Sequence, residues 1–482
     1  YDRVSNTWSE PRRVSQSSFG QDRRSTFVTV GNEFFLCWPS DLRKTKAAQE
    51  SGIYLAKIPG DMELPLAKAI RVNALEEEPF APSQTTPERE VEEHHAWEHG
   101  GRTYQLYWGD LHRHTDVSNC RTGFDGCIVE HFRYAYDIAK LDFLGTSDHT
   151  DIGKMYHPYE WWHNQRMHDA LHSPERFTSL YAYEREQKWP WGHRNIVFAQ
   201  RGGPLVYIKR TTYRNSPWQE TFPVPPGITD IHPNELWKIL KDYGKPVSSI
   251  SHTGATGMGT DWSGYDRPID WPTETIVEIF QGARVSYEGL GAPQPTAGLR
   301  PNEGYTIASG REPADAPPAP IQDFGKFNAG VYQNALIQGH RLGVFANSDH
   351  ISQHVSYGGV YCEEFTREGI IQGFESRLTI AATDKIFAQF TINGKPMGSL
   401  IPKEAETQIA FYVNGTAALK RITIVRNEQD WKVFDGLREP ILEQQLTDEA
   451  PAEGENRYYL RVEQQDGNMA WCSPIWVTES PS

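Results

Sequence analysis

The chain has 482 residues with 63 acidic and 48 basic side chains, a formal net charge of −15, which repels a phosphate backbone and argues against a nucleic-acid binder working by charge neutralisation. Hydrophobic residues make up 38% and charged residues 23%, the composition of a water-soluble globule large enough for about three units of roughly 150 residues. The longest apolar stretches, such as Phe34 to Trp38, fall far short of the ~18 residues of a membrane span.

Residues 1–72 hold short alternating runs, Thr26 to Val30, Glu33 to Trp38 and Ile53 to Ile58, broken by turn residues. They read as β-hairpins resembling a propeller blade, and a lone blade cannot bury its faces. The chain opens at Tyr1, which reads as a processed or truncated start and leaves the compartment undetermined. Residues 73–103 are acidic and Pro-containing at first and read as a linker.

From 104 to 384 apolar runs alternate with helical patterns. The expected strands are Gln105 to Trp108, Phe143 to Thr146, Thr178 to Tyr183, Asn195 to Ala199, Val247 to Ile250, Ile276 to Phe280 and Leu342 to Phe345. Val129 to Lys140 and Pro233 to Asp242 have helical spacing. Seven strands with helical crossovers predict a (β/α) barrel-like sheet with its chemistry at the carboxyl ends of the strands. Gly289 to Pro320, rich in Gly, Pro and Ala, reads as an excursion near the mouth. Residues 385–482 return to strand-like runs, Phe387 to Ile392, Gln408 to Val413, Lys420 to Val425, Arg457 to Val462 and Ser473 to Val477, the signature of an all-β sandwich that supplies no catalytic group. Trp471 and Trp476 read as its packing anchors.

The chemistry is positional. His112 and His114 follow the first barrel strand, Asp148 and His149 the second, Glu184 the third, His252 the fifth, and Asp349 with His350 the seventh. Imidazole and carboxylate are the ligands of Zn, Mn and Fe(II). The HxH pair faces one side of an extended segment because strand side chains alternate. His193 precedes its strand, and an antiparallel excursion after Glu184 would return it to the mouth. The other eleven histidines, among them His94, His95, His99, His157, His163 and His354, read as solvent-facing or packing residues.

Other features carry two readings. The five cysteines are scattered, so no disulfide framework is expected; Cys120 and Cys127 could be a metal-binding pair, a local disulfide or plain buried thiols. Arg194 and Arg284 could clamp a substrate phosphate or brace the barrel through carboxylate pairs. Tyr156, Tyr159, Trp161 and Trp162 could wall a cleft or pack in the core.

Together YWGDLHRHT, LGTSDHT, YERE with WGHRN, SISHTG and ANSDH resemble the motifs of the PHP (polymerase and histidinol phosphatase) superfamily over about residues 105–355. SNCRTGFDG, VEIFQGARVSYE and the tail YYLRVEQQDGNMAWCSPIWV resemble a PHP-related subgroup with a C-terminal β-sandwich. The resemblance implies an α/β fold, a distorted (β/α)7 barrel flanked by the N-terminal hairpins and the sandwich, holding two or three divalent ions of Mn, Zn or Fe. It implies that His112, His114 and Asp349 bind one ion, that Glu184 bridges to a second held by His193 and His252, and that His149 with a His from the last motif, His350, binds a third. Two departures bear on the third site. The family closes with Asp-x-His, whereas Asp349 and His350 are adjacent and would leave a regular strand in opposite directions. The family's extra His falls near Ser118 to Cys120, where Asn119 or Cys120 would make a different site.

The expected activity is metal-dependent hydrolysis of a phosphate ester by a metal-bridging hydroxide. A small, anionic ester is the expected partner, with neither nucleic acid nor membrane. Glu184, Asp148 and Asp349 are the expected catalytic carboxylates; Glu184 bridges, Glu186 competes for that role, and Asp148 orients a ligand or moves a proton. The alternatives are a carboxylic or sulfate ester on the same centre, or a non-catalytic metal-bound carbohydrate- or surface-binding protein.

Overall fold

The computed structural model describes residues 26–30, 33–40, 52–58, 94–118, 125–150, 158–206, 232–296 apart from positions 253, 267, 270 and 283, 320–350 and 356–479. It divides into two units, 1–91 and 92–482. In the first, β1 (Thr26–Val30), β2 (Glu33–Ser40) and β3 (Gly52–Ile58) form an antiparallel meander. Trp38 is buried against Tyr54, with ring centroids 6.0 Å apart.

The second unit begins inside the stretch expected to be linker. β4 (Ala96–His99) pairs antiparallel with β5 (Arg102–Asp110). Gly100 and Gly101 form the turn with φ of 59° and 77°, the double positive φ that a tight hairpin requires. Residues 73–93 of the expected linker lie outside the described residues.

Next come β6 (Phe143–Leu144), β7 (Thr178–Ser179), β8 (Tyr181–Arg185), β9 (Arg194–Phe198), β10 (Val247–Ser251), β11 (Ile276–Gln281) and β12 (Gly343–Asn347). β5, β6 and β7 are parallel neighbours. Only Leu180 separates β7 from β8, and there the chain passes into a second sheet ordered β8-β9-β10-β11-β12. In it β9 runs antiparallel to both neighbours, while β10, β11 and β12 are parallel. These strands are buried along their whole length, as expected of a sheet covered on both faces.

The regular (β/α)7 alternation is therefore replaced by two sheets that do not join into one closed ladder among the described residues. They touch at two isolated bridges, His149↔Glu184 and Arg113↔Asp349. The helices are α1 (Ile128–Arg133), continued by a wide turn over Tyr134–Ile138, α2 (Pro158–Ala170), α3 (Asn234–Tyr243), α4 (Tyr332–Ile337) and α5 (Arg367–Glu375). In α3 the residues Leu236, Trp237 and Leu240 face the core, and Gly244 ends the helix at φ 67°.

β13 (Tyr357–Cys362) and β14 (Thr379–Ala382) were not legible in the sequence. They are followed by β15 (Phe387–Ile392), β16 (Lys395–Pro396), β17 (Leu400–Pro402), β18 (Thr407–Asn414), β19 (Leu419–Arg426), β20 (Gln429–Asp435), β21 (Ile441–Asp448), β22 (Asn456–Gln464), β23 (Met469–Cys472) and β24 (Ile475–Thr478). One tail sheet is β16-β15-β18-β21. The other does not stop at residue 385: β5 pairs with β13, β13 with β14, and β14 with β23. The first site-bearing strand and the tail thus share a ladder. Phe390, Ile409, Phe411, Ile422, Leu460 and Ile475 fill the core of the tail region.

Candidate metal centre

Strand ends bring the ligand-type residues to one buried place. His112 and His114 project together just beyond β5, and their Nε2 atoms are 3.2 Å apart. Around them, Asp349 Oδ1 lies 2.9 Å from His114 Nε2 and 3.4 Å from His112 Nε2. Glu184, at the end of β8, reaches His193 Nδ1 at 2.8 Å and His252 Nε2 at 3.4 Å with Oε1, and His149 Nδ1 at 2.7 Å and His114 Nε2 at 3.3 Å with Oε2. His193 arrives by the antiparallel step, since Glu184 pairs with Asn195 across β8 and β9.

Asp349 and His350 both enter the cluster, contrary to the divergence expected of adjacent strand residues. Asp349 sits beyond the end of β12 with φ 70°, a left-handed conformation that a non-glycine residue adopts at some cost. It abolishes the strand alternation. His350 Nε2 lies 3.4 Å from Asp349 Oδ1, and its ring stacks on His114 with centroids 4.3 Å apart.

Four buried triads have their donor atoms within 4.8 Å of one another: His112, His252 and Asp349; His112, His114 and Glu184; His114, Asp349 and His350; and Glu184, His193 and His252. Donors bonded to one ion at ~2.0–2.1 Å in tetrahedral array stand about 3.3 Å apart, and the separations within these triads bracket that value, from 2.8 Å between Glu184 and His193 to 4.0 Å between His252 and Asp349. Glu184 Oε2 and Asp349 Oδ1 are buried without a hydrogen bond of acceptable geometry. Leaving carboxylate oxygens so is costly unless a cation is to be met. The residues present therefore fit divalent metal ions.

The electrostatics agree. Burial alone would lower His112, but Glu278, Asp349 and Glu184 outweigh it and hold its pKa well above the usual value. Burial and the neighbouring His149 and His350 lower His114 to about 3. Burial would raise Glu184 and Asp349; His149, His193 and His112 hold the first well below the carboxylate range, and His350, Arg284 and His112 the second. The carboxylates are thus held ionised and His114 neutral, as a divalent cation requires, while His112 is held charged and would release its proton to an incoming ion.

Asp148 is not a bridge. Its Oδ1 accepts from Thr115 N at 2.7 Å and Ser118 Oγ at 2.6 Å, and its Oδ2 accepts from Thr115 Oγ1 at 2.8 Å. Ser118 Oγ lies 3.0 Å from His114 Nδ1, so Asp148 organises the loop that aims His114. Burial raises its pKa to about 6 against these hydrogen bonds. Glu186, two residues beyond Glu184, is buried with Oε1 2.7 Å from His149 Nδ1. Asp125 Oδ2 lies 3.0 Å from His350 Nδ1.

Of the two arginines, Arg284 joins the cluster and Arg194 does not. Arg284 pairs with Asp349 and Gln281. Arg194 donates to Glu274 at 3.0 Å, to Tyr265 at 2.9 Å and to the Trp191 and Gly192 carbonyls, and lies over the Trp237 ring. With four of its five donors engaged, it braces β9, the second of the two readings open to it, and it does not reach the cluster.

Cys127 is an exposed free thiol rather than a buried one; Asn119 and Cys120 lie outside the described residues, as do Tyr156, His157, His354 and most of the 289–320 excursion. Trp161 packs against Tyr183 and Phe198, while Tyr159 and Trp162 are exposed. Sequence reading missed Glu278, whose Oε1 lies 2.8 Å from His112 Nδ1. Its signal was a carboxylate inside the otherwise apolar run IVEIF.

No family model matches this chain. It is 31% identical over 395 residues to an uncharacterised protein of Chlamydia trachomatis and 27% identical over 394 residues to one of Chlamydia muridarum. A third relative, from Chlamydia pneumoniae, is 24% identical over 394 residues. Each match covers 77% of this chain, and the chain spans 57% of the length of each of these curated relatives. A solved two-domain protein from Bacteroides vulgatus, described as containing a predicted PHP-like metal-dependent phosphoesterase, covers 80% of this chain and 98% of its own at 12% identity and a TM-score of 0.36.

Proposed function

We propose that this chain is a metal-dependent hydrolase of small anionic phosphate esters, built on a distorted barrel of PHP type. The observation that carries the reading is the pair of buried carboxylates Glu184 and Asp349, one of which belongs to each of the four triads, and whose Oε2 and Oδ1 lie 2.7–3.4 Å from imidazole nitrogens without a hydrogen bond of acceptable geometry. Seven residues converging in four overlapping triads are more than a binding module commonly needs and suit a multinuclear centre. The two isolated bridges between the sheets support the barrel, because they bring β5 beside β12 and the end of β6 beside β8.

In this reading His112, His114 and Asp349 hold one divalent ion, Glu184, His193 and His252 a second, and His149 with His350 a third. Such ions, of Mn, Zn or Fe, would supply Lewis acidity toward the ester oxygens and acidify water near neutral pH. Glu184, with Oε1 toward His193 and His252 and Oε2 toward His114 and His149, would serve the first two sites together. Arg284, which donates to Asp349 and Gln281 at the edge of the cluster, would be the cation that meets a phosphoryl oxygen in this reading. Asp148 keeps the loop from Thr115 to Ser118 in place and thereby the aim of His114. No helix of the described residues is long and apolar enough to cross a membrane.

The test is an assay of protein as purified, after chelation, and after reconstitution with Mn, Zn or Fe, against phosphomonoesters, diesters, triesters, carboxylic esters and sulfate esters. Chelator-sensitive turnover of phosphate esters is expected. Activity confined to carboxylic or sulfate esters would move the substrate class, and protein that binds no metal would overturn the reading.

A further inference from the structure

The segment IVEIFQGAR contains three polar residues at steps of three, Glu278, Gln281 and Arg284, and hydrolysis as proposed gives the first two no role. In the fold they form a continuous hydrogen-bonded rail. Glu278 is 1% exposed in the middle of β11. Its Oε1 lies 2.8 Å from His112 Nδ1 and accepts from Asn195 Nδ2 at 2.8 Å and Asn347 Nδ2 at 2.7 Å. Its Oε2 accepts from Gln281 Nε2 at 2.9 Å. Gln281 Oε1 in turn accepts from Arg284, which donates also to Asp349. The Gln281 amide nitrogen lies 3.2 Å from His252 Nε2 as well. The rail thus touches His112, His252 and Asp349, the three members of one candidate triad.

We infer that Glu278 and Gln281 are positioning residues of the metal centre, holding His112 in the tautomer that offers Nε2 to an ion and tying that choice to the placement of Asp349. This rests on the metal-centre reading above. An ionised carboxylate only accepts, so His112 donates from Nδ1, and Nε2 is the nitrogen that would give up its proton and offer a lone pair to an ion. Gln281 cannot turn over without setting its amide nitrogen against the Arg284 guanidinium, so its orientation is fixed at both ends. The negative charge of Glu278 meets three donors at one oxygen and one at the other. An amide at position 278 fails in either orientation: its nitrogen faces the Gln281 nitrogen, or it faces His112 and two asparagine nitrogens.

The experiment is titration of the chelator-stripped full chain with Mn2+ alone, following affinity and stoichiometry, beside thermal unfolding of the stripped protein. Glu278→Gln is expected to weaken Mn2+ binding by roughly 10–100-fold. The matched control is Glu274→Gln. Glu274 is equally buried but serves Arg194, Trp237 and Ser251, so its loss should lower the unfolding temperature with Mn2+ affinity within about twofold of wild type. Wild-type affinity in Glu278→Gln, or equal weakening in both variants, would overturn the inference. Wild-type protein that binds no Mn2+, Zn2+ or Fe2+ would instead overturn the metal centre itself. Should Glu278→Gln not fold, Gln281→Leu carries the test, since it cuts the rail while leaving Glu278 its other partners; unchanged affinity there also refutes the proposal.

Discussion

Two buried carboxylates show what separates a structural charge from a functional one. Glu288, near the tail, is fully buried, and every oxygen is engaged: Oε1 accepts from Tyr459 Oη and Arg461 Nη1, each at 2.7 Å, and Oε2 accepts from Trp471 Nε1 at 2.8 Å. Glu184 is buried to the same degree, yet Oε2 meets only imidazole nitrogens, His149 Nδ1 at 2.7 Å and His114 Nε2 at 3.3 Å, without a hydrogen bond of acceptable geometry, and its neighbours are imidazoles from four separate segments. A satisfied charge ties segments 171 to 183 residues apart into one fold; an unsatisfied one is stability withheld for a ligand. Two arginines differ by partner rather than by satisfaction: Arg194 is engaged by Glu274 and Tyr265 away from the cluster, Arg284 by Gln281 and Asp349 within it.

The most severe way to break the comparison is Glu184→Gln, which keeps the volume and removes the charge. Metal content should fall by at least one ion and turnover by about 10⁴-fold, equivalent to about 5.5 kcal/mol in the barrier, with circular dichroism unchanged. Glu186→Gln should be milder, and the reverse order in kinetics and metal content would shift the bridge to Glu186.

Glu288→Ala should do the opposite, removing the buried partner of Arg461 and leaving it only the half-exposed Asp430. It is expected to cost about 3–5 kcal/mol of stability while folded molecules retain wild-type metal content and kcat/KM. A loss of metal would show that the tail brace reaches the centre.

His168 sharpens the comparison from the side of pH. It is buried, with Thr146 N 3.2 Å from its Nε2 and the Asn164 carbonyl 2.9 Å from its Nδ1, and burial lowers its pKa to about 4. Its folded value lies below the unfolded value of 6.5, so the unfolded state takes up the proton first. Stability is therefore full above pH 6.5 and declines as pH falls toward 4, by about 3 kcal/mol from this group. Urea unfolding of wild type and His168→Gln between pH 7 and 4 should show a smaller decline in the variant.

The smallest expected effect is that of ligand itself. Metal at hundredfold excess over its Kd should stabilise wild type by about 2.7 kcal/mol and Glu288→Ala equally, but Glu184→Gln much less. Differential scanning calorimetry with and without metal decides it.

The sequence by itself determined the ligand chemistry. His112, His114, His149, Glu184, His193, His252, Asp349 and His350 stand at the ends of apolar runs, and alternation along a strand is a local property that spacing reveals. It equally displayed the strands of the tail, whose inward residues Ile409, Phe411 and Val413 alternate with outward ones. Tertiary structure alone decided the rest, because it depends on partners far away in the chain. The ladder from β5 through β13 to β23 joins residues more than 360 positions apart, and no local pattern encodes such pairing. The convergence of Asp349 with His350 goes with one backbone angle, φ 70° at Asp349, a residue bridged to Arg113, 236 positions away. Arg194 and Arg284 are alike as residues in a sequence; which one meets the cluster was settled by Glu274 and Asp349, 80 and 65 positions away. Glu278 sits in an apolar run where a carboxylate is costly, and only the folded chain supplies His112, Asn195, Asn347 and Gln281 to hold it there.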